Sequence, residues 1–356
     1  MSEIKKIAVI GGDGIGPEVV AEGIKVLKEF ESVKNDIRFS FDYYPWGCDY
    51  YKKTGKMMDD DGLEKLKEYD AVFLGAVGDP SVSDHISLWE LLLKIRKGFD
   101  QYINLRPAKL LKGVKSPIRS DKDIDMIFIR ENSEGEYSGE GCIENEGTDE
   151  ETVKQVSVFT KKGVSRVIRY AYEVARREGK TLTSITKSNA LNYSMVYWDR
   201  MFAEIGKEYP EVKTYKYHVD AASMFMVMQP ERFQVVVASN LFGDILTDLA
   251  AAITGGLGLA SGANINPERE FPSMFEPVHG SAPDIAGTGN ANPIAAIWSA
   301  SQLLEHLGYK KEADIVLDAI QNVIVEGKVL TVDMGGKSTT SEVGDRVVTE
   351  IRELTK

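Results

Sequence analysis

Two aspartates open the question of chemistry. In the segment "ASNLFGDILTDLAA", Asp244 and Asp248 stand four residues apart in a run with helical spacing. They therefore share one helix face, with β-carbons roughly 5–6 Å apart. Like charges at that spacing destabilise a helix, so something must offset the repulsion. Solvent, or the positive end of a helix, tolerates acids. A hard divalent cation such as Mg²⁺ or Mn²⁺ takes both as oxygen ligands. The neighbours Ile245, Leu246, Leu249 and Ala250 are apolar or small, which weakens the solvent reading and leaves the cation open.

Three arginines form a second group. In "SLWELLLKIRKGFDQYINLRP", Trp89, Leu92, Leu93 and Arg96 fall at i, i+3, i+4 and i+7, one face of a predicted helix. Glu90 and Lys94 are expected to pair on another face. Arg106 lies in an extended segment before Pro107, and Arg130 ends the strand-like run "DIDMIFIR". An arginine closing an apolar stripe can be a snorkelling side chain. Three arginines, one of them at a strand end where α/β proteins bind ligands, can instead clamp a carboxylate with forked hydrogen bonds.

A third group is Tyr137, Lys187 and Asp220. Lys187 follows the strand-like "TLTSIT", and Asp220 closes "TYKYHVD". A lysine beside other cations has its charged form disfavoured and can act as acid or base; each of the three can equally be an ordinary surface or hairpin residue. The fourth group is the segment "MFEPVHGSAPDIAGTGNANP", rich in Gly, Pro, Asn and small residues. It reads as a long loop whose backbone can approach a ligand closely.

The elements that must position these groups alternate along the chain. "KIAVI", "IRFSFDYY", "YDAVFLGAVG", "DIDMIFIR", "TLTSITK", "TYKYHVD" and "FQVVVASN" read as strands, each followed by helix-like sequence. That predicts an α/β fold with largely parallel sheets flanked by helices. A helix is expected from Pro17 to Phe30, and a helix-rich end from about Ile294, with Gly308 as a stop. "EYSGEGCIENEGTDEETVKQVSVFT" reads as two extended arms joined by a turn, either a surface hairpin or a pairing element for another chain.

The 356 residues suffice for two domains, and with 43% apolar and 28% charged residues the composition is globular. A net charge of −12 with no basic stripe argues against nucleic acid. No apolar run approaches the roughly 18 residues of a membrane span, and no signal peptide is evident. Two cysteines, Cys48 and Cys142, make neither a disulfide framework nor a zinc set. A soluble, cytoplasmic protein is expected.

"GDGIGPE", "LRP", "RENSEGEYSG", "TKSN", "ASNLFGDILTDL" and "EPVHGSAPDIAG", in this order, make the chain resemble the β-decarboxylating dehydrogenases, the isopropylmalate/isocitrate dehydrogenase superfamily. Within it, "GDPSVSDHISLWELLLKIRKGFDQYINLRP" looks like the tartrate/D-malate branch. The resemblance implies that two-domain fold, which is not a Rossmann fold. Residues 1–101 and 255–356 would form a first, cofactor-side domain; 102–254 would form a second, carrying the arm and a homodimer interface. Arg96, Arg106 and Arg130 would grip the substrate's distal carboxylate. Asp244 and Asp248 of one subunit, with Asp220 of the other, would hold Mg²⁺ or Mn²⁺; K⁺ is admitted as a further cation. Lys187 of the second subunit would help deprotonate the C2 hydroxyl while hydride passes to NAD⁺. Tyr137 would protonate the carbon left after CO₂ departs.

The resemblance also implies a cofactor site. Asp284 would accept hydrogen bonds from the adenosine ribose and repel a 2′-phosphate, which points to NAD. Ile15, His279, Gly280, Ser281, Ala282 and Asn292 would line the adenosine site, Glu276 the nicotinamide end, and Asn189 would reach across from the partner subunit. The "GGDGIGPE" turn, whose glycines do not fit G-x-G-x-x-G, would flank that site and not cradle a pyrophosphate. The Trp89/Leu92/Leu93 face would meet the C3 substituent and suit a small one, as in D-malate or tartrate. A 3-isopropylmalate dehydrogenase and a non-catalytic regulatory subunit are the alternative readings.

Overall fold

The computed structural model describes residues 4–34, 36–118 and 123–356. Along the chain the strands are β1 (Ile4–Gly12), β2 (Arg38–Tyr44), β3 (Ala71–Ala76), β4 (Ile103–Lys109), β5 (Asp125–Glu131), β6 (Gly135–Glu144), β7 (Thr152–Val158), β8 (Leu182–Thr186), β9 (Thr214–His218), β10 (Val235–Ala238), β11 (Ser261–Ile265) and β12 (Ser273–Pro277). The chain divides into two compact units. The first is Met1–Gln101, Leu110–Pro117 and Thr254–Lys356; the second is Tyr102–Lys109 and Ile118–Ile253.

In the first unit the strand order is β2-β1-β3-β12-β11. β1 pairs in parallel with β2 and β3, and β3 with β12; only β11 runs antiparallel, against β12. β3 reads "AVFLGA" and every residue in it is buried, the unbroken apolar run of a strand covered on both faces. The helix Gly16–Val33, with its proline in the first turn, and the helix Ile294–His306, whose first eight residues are all buried, belong to this unit. The latter helix stops before Gly308, at φ 95°.

The second unit repeats the scheme with strand order β4-β5-β10-β8-β9. All its pairings are parallel except β4 against β5. Its helix Lys161–Glu178 turns Val164, Val167, Ile168, Ala171 and Ala175 inward, a helical stripe, and caps its start with Thr160. β6 and β7 form a separate antiparallel hairpin, the two extended arms of the acidic segment.

Four expectations need correction. Residues 110–117 group with the first unit, not the second. Gly113 sits there against Ile324 and Val325, which leaves about 3 Å for an added β-carbon. The loop expected from Met274 begins as strand β12, so Glu276 is a strand residue. Asp220 does not close a strand but lies in the first turn of the helix Val219–Met228. Finally, the helix carrying Trp89 is interrupted. Leu88–Leu92 is a π-turn between the α-helical turns Asp84–Ser87 and Leu93–Gly98. One extra residue in a turn rotates everything after it by about 100° relative to α spacing. Trp89 therefore aligns with Lys97, whose Nζ stands 4.6 Å from the indole centroid, and not with Arg96. The predicted four-residue stripe is split, and Glu90 and Lys94 form no ion pair.

Candidate active site

In the second unit the helix Asn240–Ile253 follows β10 directly and brings its first turns against the end of β5. Arg130, at that end, is 3% exposed. Its Nε and Nη2 donate to Asn240 Oδ1 at 3.1 and 2.7 Å, and its Nη1 pairs with Asp244 Oδ1. Gly243 makes room: a β-carbon there would stand 2.6 Å from Arg130 Cγ. Arg106, from β4, donates to Thr247 Oγ1 at 2.7 Å and lies 3.6 and 3.9 Å from Asp244 and Asp248. Tyr137, at the base of the hairpin, donates its hydroxyl to Asp244 Oδ2 at 3.0 Å, and its ring lies 5.6 Å from the Arg130 guanidinium.

The structure thus gathers Arg106, Arg130, Tyr137, Asp244 and Asp248 around one helix face. The expectation that apolar neighbours exclude solvent from the two acids is only half right. Leu246 and Ala250 are buried, but Ile245 is 56% exposed and Asp248 is exposed. Arginines, not apolar side chains, offset the repulsion. What burial Asp248 does have raises its carboxyl above the usual range; Asp244 adds to this, and Arg106 and Arg130 act against it.

Lys187 and Asp220 form their own pair, Nζ to Oδ1 at 2.7 Å. Hydrogen bonding from the ammonium holds the Asp220 carboxyl below its usual range. No group of three or more metal-ligating side chains occurs among the described residues, so Asp220 does not join Asp244 and Asp248 within one chain. Asn189 is exposed in the loop after β8.

In the first unit Arg96 and Glu276 are both buried and joined at 2.7 Å, and Asn264 donates to the same Glu276 oxygen at 2.7 Å. Arg96 Nε is buried without a hydrogen-bond partner. The loop after β12 docks on the turn after β1: Ile15 N–H donates to the Ser281 carbonyl at 2.8 Å. His279 keeps Nδ1 3.0 Å from the Gly280 carbonyl, while its Nε2 is buried without a partner. Burial holds this imidazole below its usual range. Ala282 adopts φ 40°, Gly280 and Asp284 are exposed, and Asn292 donates to Asp333 Oδ2 at 2.9 Å. Trp89 is half exposed, Leu92 partly buried and Leu93 buried.

Sequence reasoning missed Asn240, Thr247, Asn264 and Asp333. The first two had a signal: residues 240, 244, 247 and 248 share one face at helical spacing. Asn264 and Asp333 had none, since their partners Glu276 and Asn292 stand on other elements, 12 and 41 residues away along the chain.

The sequence profile of the family described as isocitrate/isopropylmalate dehydrogenase matches residues 6–347. The chain is 52% identical over 357 residues to the D-malate dehydrogenase (decarboxylating) of Escherichia coli strain K12, covering 98% of each chain. It is 51% identical over 345 residues to a probable tartrate dehydrogenase/decarboxylase of Agrobacterium vitis, covering 96% of each. Among solved structures, an isocitrate dehydrogenase from Methylococcus capsulatus superposes with a TM-score of 0.88 at 36% identity, over 98% of this chain and 99% of that one.

Proposed function

The chain belongs to the isocitrate/isopropylmalate dehydrogenase family of oxidoreductases, and from that premise we propose that it oxidatively decarboxylates a (2R)-2-hydroxy dicarboxylic acid, D-malate or tartrate, with NAD⁺. The observation that carries this reading is the Arg106–Arg130–Tyr137–Asp244–Asp248 cluster, which combines carboxylate-binding cations, a proton donor and paired oxygen ligands on one helix face. The naming of two relatives above 50% identity for D-malate and tartrate supports the substrate. With the π-turn at Leu88–Leu92, Trp89 and the Leu92/Leu93 pair do not form the single apolar face that would select a small C3 substituent.

Asp244 and Asp248 fit a hard divalent cation, Mg²⁺ or Mn²⁺: both are carboxylates on adjacent turns and neither is buried, and Asp244 would exchange its contacts to Arg130 and Tyr137 for the ion. Two carboxylates are fewer than such an ion takes, and the third, Asp220, is proposed to come from a second copy. The orphaned, buried Nε2 of His279 fits a group with hydrogen-bonding edges, as the adenosine of NAD has. When bound, the cation supplies an electron sink for loss of CO₂ and NAD⁺ accepts the hydride. K⁺ is tested as a further activator.

The roles of the chain's own residues follow. Arg96, Arg106 and Arg130 grip the distal carboxylate; guanidinium forks suit that task better than ammonium groups. Tyr137 already acts as donor to a carboxylate, so its proton is poised for delivery to carbon. Lys187, in its neutral amine form, would take up the C2 hydroxyl proton in the neighbouring copy's site. Ile15, Ser281, Ala282, Gly280 and Asn292 bind adenosine, Asp284 its ribose, Glu276 lies by the nicotinamide, and Asn189 reaches it from the partner. Exposed apolar side chains on the second unit support a homodimer: Leu191, Tyr193, Val196, Met224, Val227, Met228 and Ile245. No helix among the described residues is long and apolar enough to cross a membrane.

The test is NADH formation from D-malate, D- and L-tartrate, 3-isopropylmalate and isocitrate, each with and without Mn²⁺ and K⁺. Metal-dependent turnover of D-malate or a tartrate is expected. Preference for 3-isopropylmalate would reassign the substrate, and turnover unaffected by chelation would remove the cation.

A further inference from the structure

Asp13 has no part in the reaction just proposed, yet it is 7% exposed and fully engaged. Its backbone N–H donates to the Ala76 carbonyl at 2.7 Å. Its Oδ1 accepts from the Cys48 N–H at 2.7 Å, and its Oδ2 from the Gly78 N–H at 2.9 Å. Asp13 follows β1, Cys48 follows β2, and Ala76 and Gly78 close β3. One carboxylate therefore ties together the turns after three neighbouring parallel strands. Gly47 permits the approach: at φ 150° it carries no β-carbon, and one would stand 2.8 Å from Asp13 Oδ1.

The two residues after Asp13 meet the loop that follows β12. Ile15 N–H donates to the Ser281 carbonyl, and Gly14, at φ 56°, lies so close that a β-carbon would fall 2.0 Å from that oxygen. Gly14 and Ile15 thus pack closely against that carbonyl, and Asp13, next to them in the chain, anchors the turn from the other side. We propose that Asp13 is a positioning residue for the adenosine half of the NAD site, holding Ile15 and Ser281 in register through its double hydrogen bond to the Cys48 and Gly78 amides. This rests on the reading of Ile15 and Ser281 as cofactor contacts.

Asp13→Asn keeps size but replaces one accepting oxygen with an NH₂ that faces an N–H donor. A hydrogen bond to a charged group is worth about 1.5–3 kcal/mol. KM for NAD⁺ is therefore expected to rise about tenfold or more, with kcat and the hydroxy-acid KM within about twofold of wild type. Hydrogen exchange at the Cys48 and Gly78 amides should accelerate together. Gly47→Ala, which crowds the same oxygen, should give a weaker version of the same split and serves if Asp13→Asn does not fold. A merely structural role would lower the yield of active enzyme and leave KM for NAD⁺ unchanged. That outcome, in either variant, overturns the proposal. If the unaltered enzyme reduces no NAD⁺, the functional reading itself fails first; a wild-type enzyme that works beside an Asp13→Asn with normal KM defeats this inference alone.

Discussion

The two units share a plan, a mostly parallel five-stranded sheet with chemistry-bearing residues after the strands, but they treat their polar groups differently. In the first unit several of those groups are satisfied from within, while Arg96 Nε and His279 Nε2 stay buried without a partner. Asp13, Glu276 and Asn292 each find partners inside the unit, and the exposed large apolar residues (Ile4, Tyr43, Trp89, Leu257, Val325, Val332 and Leu354) are scattered along its chain. In the second unit Lys187, Asp220, Asp244 and Asp248 have exposed apolar residues close by in the chain. Lys187 precedes Leu191, Tyr193 and Val196; Asp220 starts the helix bearing Met224, Val227 and Met228; Ile245 sits between Asp244 and Asp248. Apolar surface of that kind marks an interaction site. The difference is the one that the proposed sharing of sites between copies would produce: the second unit's chemical residues lie beside exposed apolar surface, whereas the first unit's polar groups pair largely within the unit.

The largest expected effect tests whether the second unit's acids are used as ligands. Asp244→Asn preserves shape and a contact to Arg130, and should lower kcat/KM by on the order of 10²–10³. Strong chelation of the wild type should do at least as much. A variant retaining a tenth or more of wild-type activity would mean that Asp244 serves only to neutralise Arg130.

Sharing between copies is the next consequence. Lys187→Ala and Asp244→Ala protomers, each inactive alone, should regain roughly a quarter of wild-type activity when randomly mixed. Half of the dimers are then mixed, and each has one intact site. No recovery in verified mixed dimers would place both residues in the same chain's site and dissolve the contrast drawn above. A smaller effect is expected from Met224→Glu, which sets a charge in the exposed apolar face. Losing one buried side chain of this type costs about 1.5–3 kcal/mol, so sedimentation should show self-association weakened about tenfold or more. A change of the same kind at Val325, in the first unit, should leave it intact.

The contrast also explains what the sequence could reveal. The βα alternation and the Asp244/Asp248 helix were legible because period and spacing are local properties. The π-turn at Leu88–Leu92 was not, because the hydrophobic pattern there fits an uninterrupted helix equally well; only Trp89 stacking under Lys97 exposes the extra residue. β12 was hidden because "SMFEP" runs without a break into a loop rich in glycine and proline. That arginines and not apolar side chains balance the two acids could not be read either, since Arg106 and Arg130 lie more than a hundred residues before Asp244.

The smallest effect separates the units by pH. His306, at the end of a first-unit helix, packs against Phe275 at 5.4 Å, and Arg269 donates to its carbonyl oxygen at 2.6 Å. Burial, with the Arg269 charge adding to it, lowers the imidazole from 6.5 to about 4. The unfolded chain thus takes up a proton between about pH 6.5 and 4 that the folded chain refuses. Stability should fall as pH falls through that window and lose nothing further from this group below it. At pH 5 the loss relative to neutral pH is about 1–2 kcal/mol. His306→Gln cannot titrate, so its denaturant midpoint should change less between pH 7 and pH 5 than that of the wild type. Because all the partners lie within the first unit, the difference should not depend on protein concentration. A concentration-dependent difference would show that this unit, too, is completed by a second copy.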